Sequence, residues 1–290
     1  MPSCTILHGD VLDRLSDIDP SSIDMAYLDP PFAIKFDDVH SWNSYMGYEP
    51  NPLFGSAPNR LARYLTWFDL VLRGVQATLT DTATLWIHLD PNAAPYVRVL
   101  ADSIFGYESF RNEIVWTYAG AKSGKRDFPR KHDTILRYCI STKEWVFNGD
   151  DIKVPFKAEY AKNFRRVDSD GRSYFDLITA GKTRRYYLDT GELPWDYWTD
   201  INAGQQMSKS QRVGYPTQKP VELIDRIVKV STTVDQTVLD AFCGSGTTAV
   251  SALRNGRNYV GIEQSADAIS LASKRIESVD GEVPQASLVR

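Results

Sequence analysis

A chain of 290 residues is long enough to bury a sizeable core, as one large domain or as one domain with an insertion. Its 42% hydrophobic and 24% charged residues are ordinary for a soluble globular protein. Cys4, Cys139 and Cys243 show neither even pairing nor metal-ligand spacing, and Met1 opens no apolar leader or membrane-length span, so a disulfide framework, a metal site and a membrane partner are excluded and a cytoplasmic protein is expected.

In chain order, Cys4 to Leu7 reads as a short strand ended by His8-Gly9-Asp10. If Val11 to Leu15 makes a helical turn, Asp10 falls beside the strand Ile23 to Leu28 and either caps that turn or serves a ligand. Asp29-Pro30-Pro31-Phe32 follows this apolar run, at the carboxyl end of a strand, where open α/β sheets keep their chemistry. From Ala33 to Asn59 the chain is irregular, with Trp42, Tyr45, Tyr48 and Phe54 among glycines and prolines. So long a loop is usually functional or mobile; its aromatics either stack on bases or pack the loop down.

The spacing of Leu65, Phe68, Leu72, Val75 and Leu79 predicts an amphipathic helix from Leu61, leading to a buried parallel strand, Ala83 to Leu89. His88 and Asp90 at its end could face a ligand, but a lone histidine there is more often structural, and neither is taken as a site residue. Ala93 to Phe105 predicts a helix, and Asn112 to Tyr118 and Lys131 to Tyr138 predict strands. The glycine-rich basic loop between these strands, Ala119 to Arg126, lies against a polyanion or is only a long hairpin loop.

Between Ala121 and Arg185, sixteen Lys or Arg stand against nine Asp or Glu in a chain whose net charge is −4. A basic middle on an acidic body suits phosphate binding, unless it is a solvated loop region. The α/β rhythm breaks over 151–211, where Arg184 to Leu188 reads as a hairpin strand before Asp189-Thr190-Gly191. The expected division is therefore 1–150 with 212–290 as one domain, and 151–211 as an insertion. Tyr215-Pro216-Thr217-Gln218-Lys219-Pro220 then leads into a helix, Val221 to Val230, with Pro220 at its favoured first position and the polar residues before it offering donors.

Val238 to Glu263 is the most informative stretch. A strand, Thr237 to Leu239, turns through Cys243-Gly244-Ser245-Gly246 into a helix with Ala249, Val250, Ala252 and Leu253 on one apolar side, and a second strand, Asn258 to Ile262, ends on Glu263. Gly244 and Gly246 let a ligand approach the backbone and leave free N–H groups at the helix start. Glu263 is placed to accept from the hydroxyls of a ribose. That describes a nucleoside pocket, although the glycine pattern alone fits a dinucleotide site equally well.

Taken together, Asp29-Pro30-Pro31-Phe32, Thr217-Gln218-Lys219-Pro220 and Phe242-Cys243-Gly244-Ser245-Gly246 resemble the DNA amino-methyltransferases, which use S-adenosyl-L-methionine. Their order, with DPPF first, resembles the permuted β class, and the resemblance runs from Leu7 to about Ile276. It implies an α/β fold with a doubly wound, Rossmann-like, mostly parallel sheet, an antiparallel hairpin strand, and 151–211 as the target-recognition insertion. Arg165, Arg166, Arg184, Arg185, Asn202, Gln205 and Gln206 are the stock from which base readers would come. Asp29, Pro30, Pro31 and Phe32 become the catalytic residues. Asp10, Thr217, Gln218, Lys219, Asp240, Phe242, Gly244, Ser245, Gly246, Thr247, Thr248 and Glu263 become the cofactor-binding set, and no metal is required. Double-stranded DNA is the implied partner; a cognate restriction endonuclease and a homodimer are compatible with it.

An exocyclic amine is a poor nucleophile because its lone pair is delocalised into the ring. In the resembling family's chemistry the Asp29 carboxylate and the Pro30 carbonyl accept its two N–H groups, and Asp29 stabilises the charge that develops on nitrogen. The prolines fix the backbone, and Phe32 offers a face to a flipped base. In the resembling family an acid at the first position of the tetrapeptide goes mostly with adenine and a serine with cytosine, so Asp29 implies adenine N6 over cytosine N4. An NAD-type oxidoreductase and a non-catalytic DNA-binding relative are the rivals from other classes.

Overall fold

The computed structural model describes residues 2–31, 60–119, 126–203, 213–215, 217–279 and 287–289. Phe32, the aromatic loop that follows it, most of the basic loop, Gln205, Gln206 and Pro216 lie outside the described residues. The described residues form two compact units, one of 1–147 with 196–290 and one of 148–195.

The larger unit is built on a nine-stranded sheet. Its strands are β1 (Cys4–His8), β2 (Ile23–Leu28), β3 (Leu79–Leu89), β4 (Phe110–Thr117), β5 (His132–Cys139), β9 (Tyr197–Trp198), β10 (Thr237–Asp240), β11 (Asn258–Glu263) and β12 (Ser287–Val289). They lie in the order β12-β1-β11-β10-β2-β3-β5-β4-β9. Neighbours from β12 to β3 are parallel, whereas β5 is antiparallel to both β3 and β4. That is the expected antiparallel hairpin strand. Strands buried on both faces need apolar residues at nearly every position, and β2 has five of its six residues buried.

Helices fill both faces. On one, Leu85, Ile87 and Leu89 of β3 share a core with α1 (Val11–Arg14), α2 (Arg60–Thr78) and α3 (Ala94–Phe105). Tyr64, Leu65, Phe68, Val71, Leu72 and Val75 recur along α2 at helical spacing and face that core. Side chains alternate along a strand, so Trp86 and His88 point to the opposite face, where the Trp86 indole donates to Ser231 Oγ of α5 (Val221–Ser231) at 2.8 Å. Two further helices, α6 (Thr247–Arg254) and α7 (Ala266–Glu277), complete the unit.

The connections β10-α6-β11 and β2-α2-β3 run toward opposite edges of the sheet, so the order reverses between β10 and β2. A crevice opens at the carboxyl ends of the strands at such a switch point.

Four details differ from expectation. Asp10 does not lie beside the DPPF strand: β11 and β10 stand between β1 and β2, and Gly9 N instead donates to Glu263 O at 3.0 Å. β3 begins four residues early at Leu79, because Ile23 pairs with it there. Pro220 caps α5 from outside, with extended backbone, rather than opening its first turn. The smaller unit stops at Trp195: the next residues belong to the large sheet, where Val115 N donates to Asp196 O at 2.8 Å and Trp198 is buried.

The smaller unit carries a short helix α4 (Ala158–Ala161) and an antiparallel sheet of β6 (Arg166–Val167), β7 (Ser173–Thr179) and β8 (Lys182–Tyr187). Too small for a large apolar core, it is held by aromatic packing: the Phe164 ring lies 4.7 Å from Phe156 and 4.8 Å from Phe175.

Candidate active site at the sheet switch point

Two strand tips meet at the crevice. Asp29-Pro30-Pro31 leaves β2, and the turn 243–246 leaves β10. Gly244 (φ 51°) and Gly246 (φ 76°) hold left-handed backbone. A Cβ on Gly246 would stand 2.8 Å from that of Ala272 in α7, and one on Gly244 would stand 3.2 Å from the Tyr215 ring. Glycine is thus required twice, by conformation and by crowding.

The next strand supplies the acid. Glu263 Oε2 accepts from Gly244 N and Oε1 from Ser265 N, each at 2.8 Å, so the main chain fixes the carboxylate against the glycine turn. Each oxygen keeps a further lone pair for a ligand. Asp240, at the end of β10, is buried and accepts from Phe242 N at 2.9 Å. Burial pushes its carboxyl up to about 7, and the charges of Asp29 and Glu263 add to the rise. Asp10 caps α1, its Oδ1 accepting from Leu12 N at 2.9 Å, and also lines the cavity of this crevice.

The loop before α5 closes the site. Lys219 Nζ lies 2.5 Å from Asp29 Oδ2, joining the expected cofactor loop to the expected catalytic acid. Gln218 Oε1 accepts from Val213 N at 3.0 Å, and Thr247 Oγ1 donates to Lys219 O at 3.3 Å.

Asp29, Pro30, Pro31, Lys219, Gly244 and Glu263 all line one cavity of about 560 Å³, within the range of small-molecule sites. Asp10, Thr217, Gln218, Asp240, Phe242, Ser245, Thr247 and Thr248 line it too. Gly246 serves from behind the wall, packed on Ala272. Phe32 lies outside the described residues.

Two parts of the site escaped the sequence. Arg275 of α7 donates through Nη1 to Ser245 O (2.7 Å), Ser245 Oγ (3.1 Å) and Thr247 Oγ1 (3.0 Å), pinning the turn from below. Tyr27, Trp116, Tyr118 and Asp133 also line the cavity. His88 belongs with this group: it is fully buried and lies 3.0 Å from Asp133. Asp90 turns to Asn92 N at 2.9 Å. No spacing rule links residues 27, 88, 118 and 133; only Asp133, a charge opening an apolar strand, gave any signal.

The expected base readers sort by their partners. Arg166 and Arg185 both pair with Asp176, at 3.1 and 2.9 Å, and Arg165 Nε donates to Lys162 O at 2.9 Å. Arg184 and Asn202 are exposed. Among the described residues no group of three or more His, Cys, Asp or Glu is placed to hold a metal ion, and no helix is long and apolar enough to cross a membrane.

An open α/β sheet with a glycine turn facing a fixed acid at its switch point defines an α/β protein built to bind a nucleoside-bearing ligand. The family model for DNA methylases, N6_N4_Mtase, matches residues 23–274, and the chain belongs to this N6/N4 family of DNA methyltransferases. The DNA adenine methyltransferase YhdJ of Escherichia coli is 25% identical over 277 residues, spanning 94% of this chain and 82% of that protein. The type II methyltransferase M1.MboII of Moraxella bovis is 28% identical over 266 residues, spanning 90% and 92%. Two solved structures share the fold. TTHA0409 of Thermus thermophilus, complexed with S-adenosyl-L-methionine, has a TM-score of 0.60 at 18% identity, covering 99% of this chain and 98% of that one. The cytosine-N4-specific PvuII DNA methyltransferase has a TM-score of 0.61 at 13% identity, covering 98% and 90%.

Proposed function

We propose that this DNA methyltransferase transfers a methyl group from S-adenosyl-L-methionine to the N6 amino group of adenine in double-stranded DNA, on a base swung out of the duplex. The observation that carries the reading is the opening of Asp29-Pro30 and of the Gly244–Glu263 pair onto a single cavity. A donor and an acceptor base have to share such a space, since most of the rate comes from aligning nitrogen, methyl carbon and sulfur.

The cavity fits the cofactor. Asp10, Asp29 and Glu263 line it with carboxylates that suit a sulfonium, and the fixed Glu263 matches a ribose. S-adenosyl-L-methionine supplies the methyl group as a sulfonium cation. Glu263 holds the ribose hydroxyls, Asp10 accepts from the adenine amino group, and Thr217, Gln218 and Lys219 face the carboxylate end. Asp29 and the Pro30 carbonyl hold the two N–H groups of the target amine, and Asp29 offsets the charge that appears on nitrogen. Lys219 donates to Asp29 Oδ2, and the carboxylate keeps further lone pairs for an N–H of the amine.

Aspartate at the head of the tetrapeptide and the adenine relative both favour N6 over cytosine N4. The unit 148–195 is the proposed reader of the DNA sequence, with Arg184 a better candidate than the ion-paired Arg166 and Arg185. The type II relatives support a place in a restriction–modification pair.

Sequencing that detects modified bases in DNA from cells expressing the protein tests the reading. N6-methyladenine at a fixed site is expected; N4-methylcytosine would reassign the base, and unmodified DNA would remove the activity.

A further inference from the structure

The cavity holds a second polar group that the chemistry above does not use. Tyr118 donates to Asp133 Oδ1 at 3.0 Å, His88 Nε2 lies 3.0 Å from Asp133 Oδ2, and His88 Nδ1 lies 2.8 Å from the Tyr27 hydroxyl. Trp116 stands edge-on to His88, ring centroids 5.6 Å apart. Tyr27, Tyr118 and Asp133 line the same cavity as Asp29 and Lys219, while His88 is wholly buried.

The protons of this group can be counted. Burial alone would raise the Asp133 carboxyl, but the His88 hydrogen bond and the nearby Lys219 charge hold it below its usual value, so it is a carboxylate and only accepts. Both of its neighbours must therefore donate. Burial, with Lys219 adding to it, keeps His88 neutral. A neutral ring that donates through Nε2 accepts at Nδ1, so the Tyr27 proton points there. Each phenol has one proton, and both are committed inside the network. Tyr27 and Tyr118 can present only lone pairs to the cavity.

We propose that Tyr118 is a specificity-determining contact of the target base, its oxygen held as a pure acceptor by Asp133 and, through Asp133, by His88 as a positioning residue. Together with Asp29 and the Pro30 carbonyl it makes the base side of the cavity a wall of acceptors. Such a wall takes an amine, whose two N–H groups are shared among the three oxygens, one of them in a three-centre bond. It rejects a carbonyl at the same place, whose lone pairs would face those of Tyr118, because a polar group left unmatched on desolvation weakens binding. The inference rests on the reading that the methylated group is an exocyclic amine, and it assigns part of the selection of that amine to residues far from the tetrapeptide in sequence.

The test compares wild type with Tyr118→Phe and Asp133→Asn. The measurements are kcat and KM for labelled methyl transfer to duplex DNA, and affinity for S-adenosyl-L-homocysteine by calorimetry. Tyr118→Phe should lower kcat/KM about tenfold or more, the usual scale of a lost polar contact in a desolvated site, with product affinity within about twofold by the same measure of an untouched cofactor half. Asp133→Asn should be worse, because its amide can donate to the Tyr118 oxygen and turn the Tyr118 proton toward the amine. A merely structural role would lower product affinity and kcat/KM together, and that result overturns the proposal. An active wild type with Tyr118→Phe unchanged also overturns it and leaves the parent reading standing. An inactive wild type overturns both.

Discussion

The two halves of the cavity are built in different ways. On the cofactor side the main chain does the fixing: Glu263 is held by Gly244 N and Ser265 N, and Asp240 by Phe242 N. On the base side, side chains from β2, β3, β5, the end of β4 and the loop before α5 hold one another, through Lys219 with Asp29 and the chain from Tyr118 to Tyr27. Backbone donors cannot be exchanged by mutation and scarcely move. On the proposed function, the Gly244–Glu263 half would serve as a rigid receptor that tunes affinity, and the Asp29 half, which depends on each member being present, would tune rate.

The sharpest way to break that contrast is Asp29→Ala. It should lower transfer of labelled methyl to duplex DNA by about 10²–10³-fold or more, the scale set by removing one preorganised electrostatic partner, while calorimetry finds S-adenosyl-L-homocysteine bound nearly as before. Unchanged turnover would remove Asp29 from its role. A large loss of cofactor affinity would mean that the two halves are not separate.

Glu263→Ala should do the reverse, weakening cofactor binding by about 1–3 kcal/mol as charged hydrogen bonds are lost, with kcat at saturating cofactor little changed. Glutamine is no conservative substitute here. Its oxygen can satisfy one of the two main-chain N–H groups, but its NH₂ then faces the other. Equal affinities for wild type and Glu263→Gln would show that the main-chain contacts do not orient the acid.

Asp240 offers a pH-dependent test of the cofactor side. Its carboxyl is raised by burial to about 7 from an ordinary 3.8, so between those values the folded protein holds a proton that the unfolded chain has released. The stability this contributes is complete below about pH 4 and is lost as pH rises toward 7, at up to about 1.4 kcal/mol per pH unit. Urea unfolding at pH 5 and pH 7 should therefore show a larger fall in stability for wild type than for Asp240→Asn. Parallel curves would mean that Asp240 is ionised throughout.

The same contrast explains what could be read from the sequence. Val238 to Glu263 holds strand, turn, helix, strand and acid within one contiguous stretch, because a main-chain site needs neighbours in sequence, and its elements fall where periodicity and glycine placed them. Asp29 was legible from an apolar run ending in a rigid turn. Tyr118, Asp133 and His88 were not: a site assembled from distant side chains leaves only a polar residue at an apolar position, and His88 looked like an ordinary core histidine. β9 was missed because two residues, Tyr197 and Trp198, carry no periodicity, and only pairing with Val115 and Trp116 makes them a strand. In the smaller unit the strand read at Arg184 to Leu188 is β8, but its hairpin turns at Ala180-Gly181 on the side of β7, and Leu188 to Thr190 after it is a helical turn rather than the hairpin's end.

Arg275 gives the smallest expected effect and the finest probe of rigidity. It lies on α7, touches the glycine turn only through Ser245 and Thr247, and is not among the residues lining the cavity. Arg275→Met keeps much of the apolar stem and removes the three donated bonds. A neutral hydrogen bond is worth about 1 kcal/mol net, and the freed oxygens can recover part of that from water. The cofactor dissociation constant should rise several-fold, with kcat at saturating cofactor unaltered, because the turn would be looser before binding and equally ordered after it. If kcat fell instead while affinity held, the turn would be setting the position of the methyl group against Asp29, and the rigidity of the cofactor half would then belong to the chemical step as well as to binding.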